Sequence, residues 1–267
     1  MNLKKDFQMA FEHRHIGPNQ QEQKEMLSSL GAGATLDDLT EKALPDPIKS
    51  TFSESDKFEP LSEAELLRLA EELSSKNEGY TSVIGQGYYN TITPSPILRG
   101  VLENPGWYTS YTPYQAEISQ GRMEALINYQ TLVSDLTCME LSNSSLLDEG
   151  TALSEAVTMS VAISKNKAEN KVVFVEEGVF TQSLSVLKTR MKPLNIEVKT
   201  FKAEELEGSL SKDSDRVFCV VAQSPRRDGS LIENLKELFQ VAKDHNAVPV
   251  AATDLMACLL YDGPGRS

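Results

Sequence analysis

Four short valine-rich runs constrain this chain more than anything else in it: KVVFVEE (171–177), IEVKTF (196–201), RVFCVVAQS (216–224) and AVPVAAT (247–253). Nearly continuous apolar strands cannot keep one face in water, so they belong to a parallel sheet covered by helices on both sides. The intervals between them are long enough for crossover helices, which the pattern places at about 180–191 and 231–245. The fold class is therefore α/β, with a mostly parallel, doubly wound sheet. Ligands of such sheets sit beyond the carboxyl ends of the strands. SPRRDG after the third run and Thr253-Asp254 after the fourth stand where chemistry is expected.

Upstream of the sheet the chain reads differently. Asn19 with Glu22, and Ser62 with Glu65, have capping-box spacing, in which an acid three residues into a helix reaches back to the capping residue. EAELLRLAEELSSKN carries a helical stripe at Leu66, Leu69, Ala70 and Leu73, and ALPDPIKS is a break because Pro45 and Pro47 cannot donate backbone hydrogen bonds. Residues 1–100 are thus expected to form a helical arm and loop segment, and 101–267 the α/β domain. A longer helix is expected through GRMEALINYQTLVSDLTCM, and another after the polar turn SNSSLLDEG.

Thirty-nine acids against 26 bases give a net charge of -13, which disfavours a phosphate-backbone footprint and hence a nucleic-acid partner. No apolar run reaches the roughly 20 residues that span a bilayer, so no membrane partner is expected. The opening MNLKKDFQMAFEHRHIGPNQ has the features of neither a secretory signal nor a transit peptide, which points to the cytoplasm. Cys138, Cys219 and Cys258 are scattered and odd in number, and read as buried small hydrophobes rather than disulfide or metal ligands.

Several groups could carry chemistry. In LLDEGTALSEA, Gly150 would let the backbone turn sharply and Thr151 would cap the helix or offer a hydroxyl. Capping is the plainer reading; the free N–H groups of the helix would receive an anion only if Asp148 and Glu149 were neutralised. Asp254, leaving an apolar strand, suits a protonated ring nitrogen, a metal or the cap of the next helix. His13 and His15 read as surface or interface groups. GQGYYNTITPSP (85–96) lacks the third glycine of a dinucleotide fingerprint. Instead it is dense in polar-tipped aromatics, as is WYTSYTPYQAEISQG (107–121).

RHIGP (14–18), the block from IGQGYYNTITPSP to NYQT (84–131), NSSLLDEGTALSEA (143–156) and PVAATDLMAC (249–258) together resemble the amino-terminal half of the glycine cleavage system P-protein family, the decarboxylating glycine dehydrogenases. The resemblance covers essentially the whole chain. It implies a fold-type I transferase-like large domain and a pyridoxal phosphate enzyme. Glycine loses CO2 through a Schiff base with the cofactor, and its aminomethyl group passes to the lipoyl group of the H-protein. It further implies that the cofactor lysine lies in a carboxyl-terminal half or subunit. The departure YDGPGRS, where the family continues its sheet, implies an incomplete domain, so the isolated chain is expected to lack cofactor and activity. The alternative is a non-catalytic remnant that binds a partner. Carried over residue by residue, Tyr88, Tyr89, Thr91, Tyr114, Gln115 and Glu117 would wall the shared active site or its channel. Asn143, Asp148, Glu149, Gly150, Thr151 and Asp254 would occupy a cofactor-like place whose acids mark it as disused.

Overall fold

The computed structural model describes residues 17–31, 35–49, 61–109 and 112–266. His13 and His15 lie outside them. The chain divides into two compact units, Met1–Thr81 and Ser82–Ser267, so residues 82–100, assigned to the arm from sequence, belong with the second unit.

In the first unit, α1 (Gln20–Leu30), α2 (Leu36–Ala43) and α3 (Glu63–Ser75) are short helices with polar starts. Asn19 Oδ1 accepts from the backbone N–H groups of Gln21 and Glu22, both at 3.0 Å, while Glu22 accepts from Asn19 N–H at 2.7 Å. Glu65 accepts from Ser62 N–H at 2.8 Å. Thr35 and Asp38 form a further capping box, which the sequence reading missed. The stripe on α3 is real in spacing, but no residue of that helix is buried.

The second unit runs through α4 (Ser95–Leu102), α5 (Pro105–Tyr108), α6 (Gln120–Thr137) and α7 (Glu149–Ile163). It then alternates β1 (Val172–Glu176), α8 (Thr181–Met191), β2 (Glu197–Phe201), α9 (Leu206–Lys212), β3 (Val217–Ser224), α10 (Leu235–Asp244) and β4 (Val248–Thr253). Helix α9 has no counterpart in the sequence reading, and residues 231–234 precede α10 rather than extend it. All four strands are parallel, in the order β2-β1-β3-β4. Burial follows composition: every residue of VVFVE in β1 is buried, as are the first seven of VFCVVAQS in β3, whereas EVKTF in β2, at the edge, is buried only at Phe201. Pro249 sits in β4, the opposite edge, where a missing ladder donor is tolerated.

The two faces of the sheet bury separate cores. Val173, Val175, Phe218 and Val221 pack under α7 and α8 with Leu153, Val157, Leu187 and Met191. Val172, Phe174, Val220 and Ala222 pack under α9 and α10 with Leu206, Leu210, Leu238 and Phe239. Gly150 has no left-handed φ and makes no sharp turn. Its value is close approach, since a Cβ there would lie 3.1 Å from Val186 Cγ2 on α8. Cys219 is buried, and desolvation raises its thiol pKa to about 12, whereas Cys138 and Cys258 are only half-buried, contrary to the expectation that all three are core groups. Among the described residues no helix is long and apolar enough to cross a membrane.

Phe218 is fully buried. Replacing it with alanine is expected to cost about 3–5 kcal/mol in urea denaturation, against less than about 1.5 kcal/mol for Phe218→Leu. Equal midpoints for the two variants would contradict this core.

Candidate functional site

The chain leaves β1 toward β2 on one side and leaves β3 toward β4 on the other, so the winding reverses between β1 and β3. At such a reversal the two post-strand loops diverge and leave a crevice at the carboxyl ends. Here the crevice is a cleft of about 950 Å³, bordered by Phe180 after β1, Gln223 near the end of β3 and Arg226 in the loop after it, Asp254 after β4, and Glu149 at the start of α7.

Buried polar groups tie together the strand ends and loops around it. Gln223, buried, accepts from Phe180 N–H at 2.9 Å. Glu176, also buried, accepts from Gly178 N–H at 2.8 Å and pairs with Arg226 Nη2 at 3.3 Å. A Cβ on Gly178 would come within 2.5 Å of Arg226 Cγ, so only glycine lets the arginine lie across this turn. Burial raises the Glu176 pKa above the usual carboxylate range, opposed by the Gly178 N–H and by Arg226.

Residues 83–89 close the cleft from the side. The turn is tight: Gly85, Gln86 and Gly87 all have left-handed φ, at 69°, 55° and 79°. Gly87 lies against the Phe180 ring, where a Cβ would be 2.4 Å from a ring carbon. Beyond the turn, the Tyr89 hydroxyl donates to Asp254 Oδ2, while Asp254 Oδ1 accepts from Met256 N–H at 2.7 Å. Asp254 therefore caps the turn that follows it and also anchors the tyrosine. Its carboxylate bond is the main cause of the raised Tyr89 pKa. Glu149 retains access to solvent, yet the cleft walls hold its pKa above the ordinary range, through desolvation first and the Asp254 charge second.

This donor set does not fit pyridoxal phosphate. One of the first-turn amides of α7 that a phosphate could use, Thr151 N–H, is already taken by Asp148 Oδ1 at 2.7 Å, and the carboxylates of Asp148 and Glu149 flank the helix start. Asp148, not Thr151, is the cap. No lysine is present among the described residues lining the cleft.

Of the residues singled out from sequence, Tyr88, Tyr89, Glu149 and Asp254 meet at this cleft. Asn143 and Asp148 line a neighbouring hollow with Glu149, Tyr129 and Met159, while Gly150 and Thr151 lie within α7. Thr91, Tyr114, Gln115 and Glu117 are exposed and border neither cavity; Tyr114 has 84% of its surface free. Sequence reasoning missed Gln86, Phe180 and Gln223, whereas Arg226 lies in the SPRRDG segment already placed at the strand ends. The glycines flanking Gln86 and the strand-end position of Gln223 were the available signals.

A family model for the glycine cleavage system P-protein matches residues 13–267. Glycine dehydrogenase (decarboxylating) of Bacteroides fragilis (strain YCH46) is 44% identical over 256 residues, covering 95% of this chain and 26% of the relative. The protein of the same name from Synechocystis sp. is 43% identical over 259 residues, covering 96% and 25%. The crystal structure of glycine decarboxylase (P-protein) of the glycine cleavage system, in inhibitor-bound form, matches with a TM-score of 0.76 and 29% identity over 94% of this chain and 55% of that one. This chain spans about a quarter of the length of the curated relatives it matches.

A carboxyl whose folded pKa is raised holds its proton more tightly in the folded state, so its contribution to stability falls as pH rises through the window above its unfolded pKa. Glu149→Gln is therefore expected to raise the melting temperature at pH 7, and the gain should vanish as pH drops below the ordinary glutamate value of 4.5. A gain that persists unchanged at low pH would show that desolvation of the charge is not its cause.

Proposed function

This chain belongs to the glycine cleavage system P-protein family, and from that premise we propose that it supplies the amino-terminal wall of a glycine decarboxylase. In this reading pyridoxal phosphate is held by a carboxyl-terminal part of the enzyme, where it supplies the electron sink for loss of CO2 from glycine. The aminomethyl group then goes to the lipoyl arm of the H-protein. The observation that carries the proposal is a match to the family along residues 13–267, joined to a strand-end cleft whose own groups do not suit the cofactor.

This chain's part is to bind and orient. Tyr88 and Tyr89 reach the cleft on a turn fixed by glycines, and Tyr89 presents its ring with the hydroxyl committed to Asp254. Tyr114, Gln115 and Glu117 are free of the core and so available to a partner surface. Tyrosine suits such a wall because it adds contact area and a hydrogen-bonding tip while losing little side-chain entropy.

Alone, the chain is expected to show neither cofactor absorbance nor exchange of the glycine carboxyl carbon with bicarbonate. Mixed with the carboxyl-terminal part of a P-protein it should support that exchange. Tyr114→Ala should leave its own unfolding midpoint within about 0.5 kcal/mol of the parent while lowering exchange in the mixture at least about tenfold. A borohydride-reducible imine on the isolated chain, or full exchange by the Tyr114→Ala mixture, would sink this reading.

A further inference from the structure

We propose that Gln86 is a positioning residue, which fixes the 83–89 turn on the amino terminus of α8 and thereby sets the Tyr89 hydroxyl on Asp254. Helix α8 begins at Thr181, and its cap position is Phe180, whose side chain has no oxygen to offer the first-turn amides. The missing acceptor arrives from 95 residues away: Gln86 Oε1 accepts from Thr181 N–H at 3.1 Å and from Thr181 Oγ1 at 2.8 Å. The backbone of the same residue is held on both sides. Its carbonyl accepts from Gln182 Nε2 at 3.1 Å, and its N–H donates to the Arg227 carbonyl at 3.2 Å. One residue thus spans the loops after β1 and β3, the two sides of the reversal.

The backbone at Gln86 is set for this and little else. A non-glycine residue at φ 55° is in a disfavoured conformation that persists only where surrounding contacts determine it. Here its bonds and the seat of Gly87 on Phe180 supply them. Tyr88 N–H closes the turn on the Gly85 carbonyl at 3.0 Å, so the direction of Tyr89 follows directly from the anchored segment. Without the side-chain acceptor, α8 loses its cap and the turn loses its side-chain anchor. A glutamate would retain the acceptor oxygen and add a charge that the helix amino terminus favours. An asparagine is one methylene too short to reach.

The test follows Tyr89 itself, with 3-fluorotyrosine placed at position 89 of the full chain and its phenol titrated by fluorine NMR. The parent should titrate above the urea-unfolded chain. Gln86→Ala should bring the midpoint most of the way to the unfolded value while its circular dichroism stays native, and Gln86→Glu should restore the high midpoint. Should Gln86→Ala not fold, Gln86→Asn gives the same comparison. A parent-like midpoint in the folded Ala or Asn variant, or failure of Glu to restore it, overturns the role. The consequence for catalysis rests on the functional reading above: in the mixture with the carboxyl-terminal part, Gln86→Ala should lower kcat about tenfold, more than it changes KM, and Glu should recover it. A mixture inactive with the parent chain refutes the functional reading and leaves the titration to decide the role of Gln86.

Discussion

Burying β1 and β3 on both faces is the requirement on which the rest of the domain depends. Their side chains divide between two cores, so helices must cover both sides. Right-handed crossovers then leave only one way to place them: connections that move one way along the sheet lie on one face, and those that move the other way lie on the opposite face. With α8 on the first face and α9 and α10 on the second, the direction of winding has to change, and it changes between the two most buried strands. The cleft is the geometric residue of that change rather than an added feature.

A crevice opened at the end of two fully buried strands exposes the problem of polar groups near an apolar core. Glu176 and Gln223 end their strands almost without solvent. An isolated charge there would be costly, and an unpaired amide nearly as much so. The solution lies in the loops: Gly178 and Arg226 serve Glu176, and Phe180 N–H serves Gln223. Arg226 Nε remains buried without a partner, so this network is not fully satisfied. Because each bond joins the loop after β1 to β3 or its loop, or closes a turn within one of them, satisfying the core also fixes the loops around the cleft. Stability and site geometry are the same interactions seen from two sides.

The sheet was legible in sequence because uninterrupted valine has few other uses, and the capping boxes at Asn19 and Ser62 were legible because their signal lies within three residues. The same locality explains what was missed. LEGSLSK in α9 is short and mostly polar, and its burial comes from Leu206 and Leu210 against the sheet, a contact no local window contains. Gln86 reads as an ordinary polar loop residue until α8 is placed beside it. The motif glycines were visible, but Gly150 was assigned to a turn when its constraint is a neighbouring helix. Tyr89 and Asp254 were both chosen from sequence, yet their pairing across 165 positions is a product of the fold alone.

The acids at the cleft follow the same logic. A site that holds a phosphorylated cofactor needs free amides and positive charge at the start of α7, whereas here a carboxylate already satisfies one of those amides. Asp148 therefore stabilises the helix at the expense of anion binding, since the Thr151 amide that it engages is not available to a phosphate. Glu149 adds a second charge, raised in pKa by the walls and by Asp254, that would repel any anion approaching from the cleft. Asp254 in turn is drawn into capping its own turn and holding Tyr89. Asp148 and Asp254, which could have served a cofactor, are bound instead to the fold and to the tyrosine turn. What the cleft preserves is the precise placement of aromatic side chains at the point where the sheet reverses.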